Sequence, residues 1–250
     1  MRLKKWEQLP SFMQTEEVRK YYDILKKKKV GLFFKRVFDI VCSSIMLIVL
    51  SFVFLILAIA IKMDSKGPVF YRQTRVTQYG KTFRIFKFRT MVQNADKIGT
   101  QVTTQGDARI TRVGKLIRKC RLDEICQLID VFRGTMTFVG TRPEVPKYVD
   151  SYTAEMTATL LLPAGVTSET SIYYKDEDAL LSGSEDIDKT YVEQILPQKM
   201  RYNLKSIEKF GFWRDIKVMF MTVFAVLGKE YKSDIDGEKE DGEEKEEETV

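Results

Sequence analysis

Two adjacent carboxylates, Asp123 and Glu124, stand in the most highly charged part of this 250-residue sequence. The basic residues around them are Arg109, Arg112, Lys115, Arg118, Lys119, Arg121 and Arg142. Neighbouring side chains on a helix diverge by about 100°, so the two carboxylates would face different partners. One carboxylate can then attack phosphorus while the other holds a divalent cation, and arginines bind phosphate oxygens. These residue types indicate chemistry on a phosphorylated substrate.

A purely structural interpretation of the same residues stays open at this point. Acidic residues are common at helix N-termini because they stabilise the helix dipole, and a helix beginning near Leu122 would carry both carboxylates in its first turn. The backbone N–H groups there would also favour a phosphate nearby. The basic residues could equally form a solvated face or a lipid-contact patch.

Several classes of site are excluded by composition. The sequence contains no histidine, which rules out a histidine-based nucleophilic triad, a histidine-ligated zinc and a histidine general base. Its three cysteines, Cys42, Cys120 and Cys126, form no CxxC pair, so neither a disulfide framework nor a zinc ribbon is indicated. We interpret them as small apolar side chains in a reducing cytosol.

The charge is unevenly distributed. The net charge is +6, but the segment from Ser233 to Val250 holds ten acidic residues and two lysines. Residues 1–232 therefore carry 39 basic and 25 acidic residues, a net charge of +14. Such a surplus suits a phospholipid surface, a phosphorylated substrate or nucleic acid. Residues 231–250 are predicted to be a disordered acidic tail.

An uncharged apolar run from Ile40 to Ile61 predicts a membrane-inserted helix over residues 34–62. The run is long enough to cross a hydrocarbon core of about 30 Å. Basic residues flank it on both sides, which favours a helix that bends near Ser51 and returns to the cytoplasm. Phe52 follows Ser51, so no proline forces the bend and a single span stays open.

We expect a helix-rich α+β fold. Residues 1–33 are predicted to be a polar, basic extension with a helix over 16–29, and residues 63–230 a small cytosol-facing domain. The first expected elements are a β-hairpin of residues 69–76 and 81–91, joined at 78–80, and a loop over 94–107. A helix over 112–132 should follow, broken near Arg121 and ended by Gly134. A helical region is expected over 188–227. Lys87 and Arg89 would share one face of their strand. The amphipathic stretch 210–228 would lie in the membrane interface or pack on the core.

Several longer motifs occur in one order along the chain. They are KRVFDIV (35–41), KMDSKGPVFYRQTRV (62–76), FRIFKFRTM (83–91), DARITRVGKLIRK (107–119), LDE (122–124) and FVGTRPEVP (138–146), with LLPAGVT (161–167) after them. In this order they resemble the bacterial sugar transferase family, the small monotopic phosphoglycosyl transferases. The resemblance covers about residues 34–227.

The resemblance implies a re-entrant helix in the bacterial inner membrane, with the active domain on its cytoplasmic face. It also implies transfer of a sugar-1-phosphate from a UDP-sugar to undecaprenyl (polyprenyl) phosphate, with release of UMP. By position, Asp123 matches the nucleophile that forms a phosphosugar intermediate, and Glu124 matches the ligand of Mg²⁺. Arg118 and Arg142 match arginines that contact phosphate or nucleotide, and Lys87, Arg89 and Arg112 are further candidates for that role.

The implied role is initiation of a surface glycan such as a capsule, an exopolysaccharide or a lipopolysaccharide. The sequence departs from the family at Phe52, Cys126, Thr141 and Arg121, none of which is assigned to chemistry. An inactive paralogue serving as a membrane scaffold for glycan-assembly enzymes is the alternative. A nucleic-acid partner rests on the basic balance alone and is not expected. A homodimer is left open, and residues 166–181, a candidate specificity region, do not name the sugar.

Overall fold

A computed structural model describes residues 1–95, 107–173, 186–229 and 231. The helices are α1 (Glu16–Lys27), α2 (Lys29–Val49), α3 (Ser51–Asp64), α4 (Arg112–Lys119), α5 (Leu128–Arg133), α6 (Pro146–Val149), α7 (Glu169–Tyr173), α8 (Ile187–Thr190), α9 (Leu196–Glu208) and α10 (Phe212–Val226). The strands are β1 (Phe70–Val76), β2 (Thr82–Phe88), β3 (Met136–Val139) and β4 (Ala164–Thr167). The helix-rich α+β prediction is confirmed. Most of the predicted 94–107 loop, part of the 166–181 region and nearly all of the acidic tail fall outside the described residues.

The apolar run forms two helices that meet at Leu50. Across this residue α2 and α3 are bent by 59° relative to each other. The backbone leaves helical geometry there (φ −86°, ψ 2°), but Leu50 N–H still donates to Met46 O at 2.8 Å. The bend therefore occurs next to the predicted position without a proline. Within the described residues, no single helix is long and apolar enough to span a bilayer, whereas the bent pair together meets that criterion.

The surface of this helix pair is unusually apolar. Large hydrophobic side chains are exposed along both helices, at Val30, Phe33, Phe34, Val37, Ile40, Val41, Ile45, Met46, Ile48, Val49, Phe52, Leu55, Ile56, Ile59 and Met63. A soluble surface rarely exposes a contiguous apolar patch of this extent. The rest of the chain leaves this patch uncovered among the described residues.

Buried charges fasten α2 to the remainder of the chain. The carboxylate of Asp39, 1% exposed, accepts hydrogen bonds from the Thr137 hydroxyl at 2.8 Å and from Phe138 N–H at 3.2 Å. One turn earlier, the Lys35 ammonium donates to Val139 O at 2.7 Å and to Asp215 at 2.5 Å. These bonds join α2 to β3 and α10, because Lys35 and Asp39 share one face of the helix at i, i+4 spacing.

The N-terminal residues differ from the predicted separate extension. Instead of standing apart, α1 packs into a core cluster, where Val18 and Leu25 are fully buried beside Leu161 and Ile207. Moreover, α2 begins at Lys29, so the predicted boundary at residue 33 falls inside a helix. Val18 and Leu25 lie on one face of α1 at i, i+7 spacing, and this apolar face needs a packing partner. The charged composition of the N-terminal segment gives no sign of that partner.

The predicted hairpin is present. Strands β1 and β2 pair antiparallel from Phe70 opposite Phe88 to Val76 opposite Thr82. The turn uses Tyr79 (φ 60°) and Gly80 (φ 72°), and Tyr79 is buried rather than solvated. The hairpin also docks on α5, since Phe86 N–H donates to the Asp130 carboxylate at 2.8 Å.

A second, parallel pair of strands was not predicted. Strand β3 pairs with β4 from Met136 opposite Ala164 to Val139 opposite Thr167. The chains cross so closely beyond β3 that a Cβ placed on Gly165 would lie 2.2 Å from Gly140 O. Glycine is therefore required at residue 165, and the core lies between this pair, α2, α5 and α10.

The predicted helical region over 188–227 is interrupted. It contains α8, a π-helical turn (Tyr191–Ile195), α9 and α10, with a break between Glu208 and Phe212. One face of α10 packs on the core through the buried Val218, while Trp213, Phe220 and Phe224 on its other sides are exposed. The core-packing alternative is therefore confirmed for this helix, and its placement in the membrane interface stays a prediction.

Removing the Asp39 carboxylate should destabilise the fold. Asp39→Ala leaves the Thr137 hydroxyl and Phe138 N–H buried without acceptors, which we expect to lower the unfolding free energy by about 2–4 kcal/mol. Thermal or denaturant unfolding of the detergent-purified protein measures this. Asp23→Ala, which breaks only an exposed ion pair with Arg19, should cost no more than about 0.5 kcal/mol. Equal losses in the two variants would contradict the assigned role.

Candidate active site

Six of the seven predicted site residues, all except Arg112, line one cleft of about 1120 Å³. The hairpin, α4, the segment after it and the loop between β3 and α6 supply its walls. Its lining includes Lys87, Arg89, Arg118, Asp123, Glu124 and Arg142, together with Arg75, Glu144, Ser168, Lys199 and Asn203. Residues separated by more than a hundred positions in the sequence therefore share one cavity.

Asp123 and Glu124, called the dyad below, lie on a tight turn. After α4 ends, Arg121 adopts a left-handed conformation (φ 51°), and residues Leu122–Gln127 form a 3₁₀ helix before α5. The break near Arg121 and the stop at Gly134 (φ 85°) are as predicted. A helix does begin at Leu122 with both carboxylates in its first turn, as expected, but it is a 3₁₀ helix and not an α-helix. A 3₁₀ segment of six residues gives them a sharper turn and a smaller aligned dipole.

Glu124 is held by two cations from different elements. Its carboxylate accepts a hydrogen bond from Lys87 Nζ at 3.0 Å and is paired with the Arg142 guanidinium through both terminal nitrogens. Burial would raise the pKa of Glu124, but Arg142 and Lys87 hold it well below its usual range. Glu124 is therefore ionised at neutral pH and joins the hairpin to the loop after β3.

Asp123 is in a different environment although it is the next residue. Its side chain is half-buried, and among the described residues its carboxylate accepts a hydrogen bond only from its own backbone N–H and forms no ion pair. Burial raises the pKa of Asp123, the negative charge of Glu124 raises it further, and Lys87 and Arg118 act in the opposite direction. A weakly partnered carboxylate in a cation-lined cleft is available for attack on an electrophile.

The remaining predicted residues separate into two groups. Arg118 is half-buried on α4 and Arg89 is buried just beyond β2, and both line the cleft with Lys87. Arg112 does not: it is exposed at the first residue of α4, outside the cleft lining. On a helix, residues 112 and 118 point in different directions, which explains why only one of them reaches the cavity.

Sequence reasoning missed a buried polar network on the far wall. Glu144 accepts hydrogen bonds from the Tyr191 hydroxyl at 2.7 Å and from Lys199 Nζ at 3.3 Å. Burial alone would raise the pKa of Glu144, yet Lys199, Tyr191 and Arg75 lower it. The available signal was Lys199 itself, a charged residue on the apolar face of α9 next to Met200.

Comparison with known proteins places the sequence in a family. The family described as bacterial sugar transferase matches residues 30–229. This chain belongs to the bacterial sugar transferase family.

Curated relatives of this sugar transferase share about a third of their aligned residues with it. A UDP-N-acetylgalactosamine-undecaprenyl-phosphate N-acetylgalactosaminephosphotransferase of Aeromonas hydrophila is 33% identical over 198 residues, covering 78% of this chain and 44% of the relative. UDP-glucose:undecaprenyl-phosphate glucose-1-phosphate transferases of Escherichia coli strain K12 (34%) and Caulobacter vibrioides (33%) match over 196 residues each. These two alignments cover 76% and 77% of this chain, and 39% and 69% of the relatives. The chain thus spans about two-fifths of the length of the Aeromonas and Escherichia relatives.

The dyad fits a cation that is bound partly by substrate. Among the described residues, no group of three or more acidic or cysteine side chains is placed to hold a metal ion. Mg²⁺ is often bound by one or two carboxylates plus substrate phosphates and water, and Glu124 provides such oxygen atoms at the cleft wall. In this sugar transferase the phosphate would have to complete the ligand set.

Neutralising Asp123 should stabilise the folded protein at neutral pH. Because its pKa is raised on folding, ionisation of Asp123 favours the unfolded state as pH rises above the unfolded pKa of about 3.9. Asp123→Asn should therefore raise Tm at pH 7.5 by about 2–4 °C, and the gain should vanish near pH 4. Thermal scans across this pH range measure the effect. Asp150→Asn, the same change at an exposed turn, should leave Tm unchanged at both pH values.

Proposed function

We propose that this chain transfers a sugar-1-phosphate from a UDP-sugar to undecaprenyl phosphate and releases UMP. The observation that carries the proposal is the Asp123 carboxylate, which no cationic side chain among the described residues pairs with, beside a Glu124 that is neutralised by Lys87 and Arg142. The cleft lies next to the end of the apolar helix pair α2 and α3. The curated relatives of this family are named for the same reaction.

The first step would form a covalent phosphosugar on the enzyme. An oxygen of the ionised Asp123 attacks the sugar-bearing phosphorus of the donor, and the bond from that phosphorus to the oxygen of UMP breaks. The bonding electrons leave with UMP, while the sugar stays on its phosphate. Arg118 and Arg142 are positioned to neutralise phosphate charge that develops during the attack.

The second step would pass the group to the lipid. A phosphate oxygen of undecaprenyl phosphate attacks the same phosphorus, the acyl-phosphate bond breaks, and the Asp123 carboxylate is regenerated. The nucleophile in each step is already an anion, so neither step requires a general base. The absence of histidine from the whole sequence is consistent with this chemistry.

Mg²⁺ is part of the proposal. Glu124, with Asp123 beside it, would hold the cation against donor phosphate oxygens, and the cation would neutralise charge on the diphosphate. For this to happen, one of the cations on Glu124 must turn toward the phosphate instead. Arg142 is the better candidate of the two because its side chain is more exposed than that of Lys87.

The membrane placement is also a proposal, and it rests on where the ends of the helix pair are bonded. Lys35 and Asp39 near the start of α2 bond to β3 and α10. At the other end, the Asp64 carboxylate of α3 accepts from Val113 N–H of α4 at 2.9 Å. Both ends therefore pack on one polar body, which a straight span through the bilayer would prevent. This arrangement supports our proposal that the helix pair enters the inner membrane from its cytoplasmic face and returns to it.

The sugar and the pathway are left open. The named relatives act on N-acetylgalactosamine or glucose donors, so the family resemblance spans more than one sugar. Initiation of a surface polysaccharide is the role we propose on chemical grounds, because a lipid-diphosphate sugar is a primer for further glycosylation.

UMP release tests the reaction and the nucleophile together. Wild-type protein in detergent with undecaprenyl phosphate, Mg²⁺ and a panel of UDP-sugars should release UMP with at least one donor, and EDTA should stop it. Asp123→Asn should lower the rate by at least about 10³-fold, since it removes the nucleophile. Intact-protein mass spectrometry should detect a phosphosugar adduct on wild type only.

Asp150→Asn serves as the matched control and should retain the wild-type rate. A near-normal rate in Asp123→Asn would exclude Asp123 as nucleophile. No UMP release from any donor by a well-folded protein would favour the scaffold alternative.

Cysteine labelling tests the topology. In a background without native cysteines, Lys28→Cys and Lys66→Cys, both at exposed sites flanking the helix pair, should react with a membrane-impermeant maleimide only from the cytoplasmic side. Both sites should therefore be labelled in inverted vesicles and protected from the reagent in right-side-out vesicles. Labelling from opposite sides would show that the pair crosses the bilayer.

A further inference from the structure

Arg89 is a buried cation whose hydrogen-bonding capacity is only partly used. It is 6% exposed, and its Nη2 donates to Ser65 O at 2.7 Å and to Ser65 Oγ at 3.0 Å. Its Nε and Nη1 are buried and have no hydrogen-bond partner among the residues that the structure describes. Buried polar groups normally have partners, so an unsatisfied guanidinium calls for an anion.

Four other cations of the cleft differ from Arg89 because carboxylates of the protein pair with them. Lys87 and Arg142 pair with Glu124, Arg109 pairs with Asp107, and Lys199 bonds to Glu144. Those charges are neutralised by carboxylates of the protein itself. Arg89 has no carboxylate partner among the described residues, although it lines the same cavity.

The backbone beside Arg89 leaves space for its guanidinium. A Cβ added to Gly67 would overlap Arg89 Nη1, so a side chain at residue 67 would force the guanidinium to move. Gly67 also has a φ of 126°, which L side chains rarely adopt. The exposed side chain of Gln93 lies next to this glycine. A modest movement of that side chain would open access to Nη1.

Arg89 is fixed where the apolar helix pair ends. Ser65, its hydrogen-bond partner, directly follows the last residue of α3. Leu55, Ile59 and Met63 are exposed at i, i+4 spacing along α3 and form an apolar stripe that leads to Ser65. An amphiphile whose chain lies along this stripe would bring its head group to Arg89.

We propose that Arg89, together with the Ser65 hydroxyl, binds the phosphate of the polyprenyl acceptor, apart from the phosphates of the nucleotide-sugar donor. The inference rests on the proposed transferase function for the identity of the amphiphile. The Ser65 oxygen already accepts from Arg89, so its own proton is available for a phosphate oxygen. Charge-assisted hydrogen bonds from Nε and Nη1 would neutralise the acceptor near the site of attack.

Kinetics with each substrate varied separately test the assignment. In Arg89→Gln the KM for undecaprenyl phosphate should rise about ten- to a hundredfold, while the KM for the UDP-sugar changes less than about twofold. The first-turnover release of UMP without acceptor should be retained. Arg89→Lys keeps the charge with fewer donors and should show a smaller rise, and Ser65→Ala a rise of about threefold.

The matched control is Arg84→Gln, which removes an equal charge from an exposed residue of the same cleft. It should leave both KM values within about twofold of wild type. If Arg89→Gln does not fold, Arg89→Lys and Ser65→Ala decide the question. A rise in donor KM, or no change in either KM, would overturn the proposal.

Binding of dodecyl phosphate gives a readout that does not depend on catalysis. It should raise the Tm of wild type and Arg84→Gln but not that of Arg89→Gln, and UDP should stabilise all three. An equal shift with inorganic phosphate would indicate a site for the free ion and overturn the lipid assignment. If no UDP-sugar reacts but the Arg89-dependent shift persists, the transferase function fails while a lipid-phosphate site stands.

Discussion

The carboxylate of Glu124 joins three segments that are far apart in the sequence. It accepts from Lys87 of β2 and pairs with Arg142 of the loop after β3, while its own backbone belongs to the 3₁₀ turn. The cleft exists because these segments face one another. Without a negative charge at this point, Lys87 and Arg142 would repel each other and the hairpin would lose its contact with that loop. The position of Asp123 is set by the same bond, one residue away.

The negative charge of Glu124 affects the environment of Asp123, the residue before it. A cleft that attracts phosphate must be positive, yet a nucleophile held by a cation reacts poorly because its lone pairs are occupied. On the proposed mechanism, the structure separates these needs: Lys87 and Arg142 bond to Glu124, and among the described residues no cation bonds to Asp123. Burial and the adjacent charge raise the pKa of Asp123, which also makes it a stronger nucleophile once ionised. The ionised Asp123 lowers the stability of the folded protein at neutral pH, and such a loss is common at sites that natural selection has shaped for activity.

Local signals in the sequence predicted local features. The hairpin turn, the break at Arg121 and the stop at Gly134 depend on the conformations of one to three residues, which residue type largely decides. The dyad and its arginines could also be identified, since they are close in the chain. Glu144 and Lys199 are 55 residues apart, and no local pattern joins them. The parallel pairing of β3 with β4 and the packing of α1 were missed for the same reason: both need partners that only the assembled core supplies.

The bend at Leu50 has a mechanical consequence for the bilayer. On the proposed re-entrant placement, the volume of α2 and α3 is added to one leaflet and the opposite leaflet receives nothing. A wedge of this kind expands one monolayer relative to the other and favours regions curved toward the protein, as amphipathic insertions do. The exposed apolar residues of α10 would enlarge the same wedge at shallower depth. Lateral distribution in the cell would then follow membrane shape as well as substrate supply.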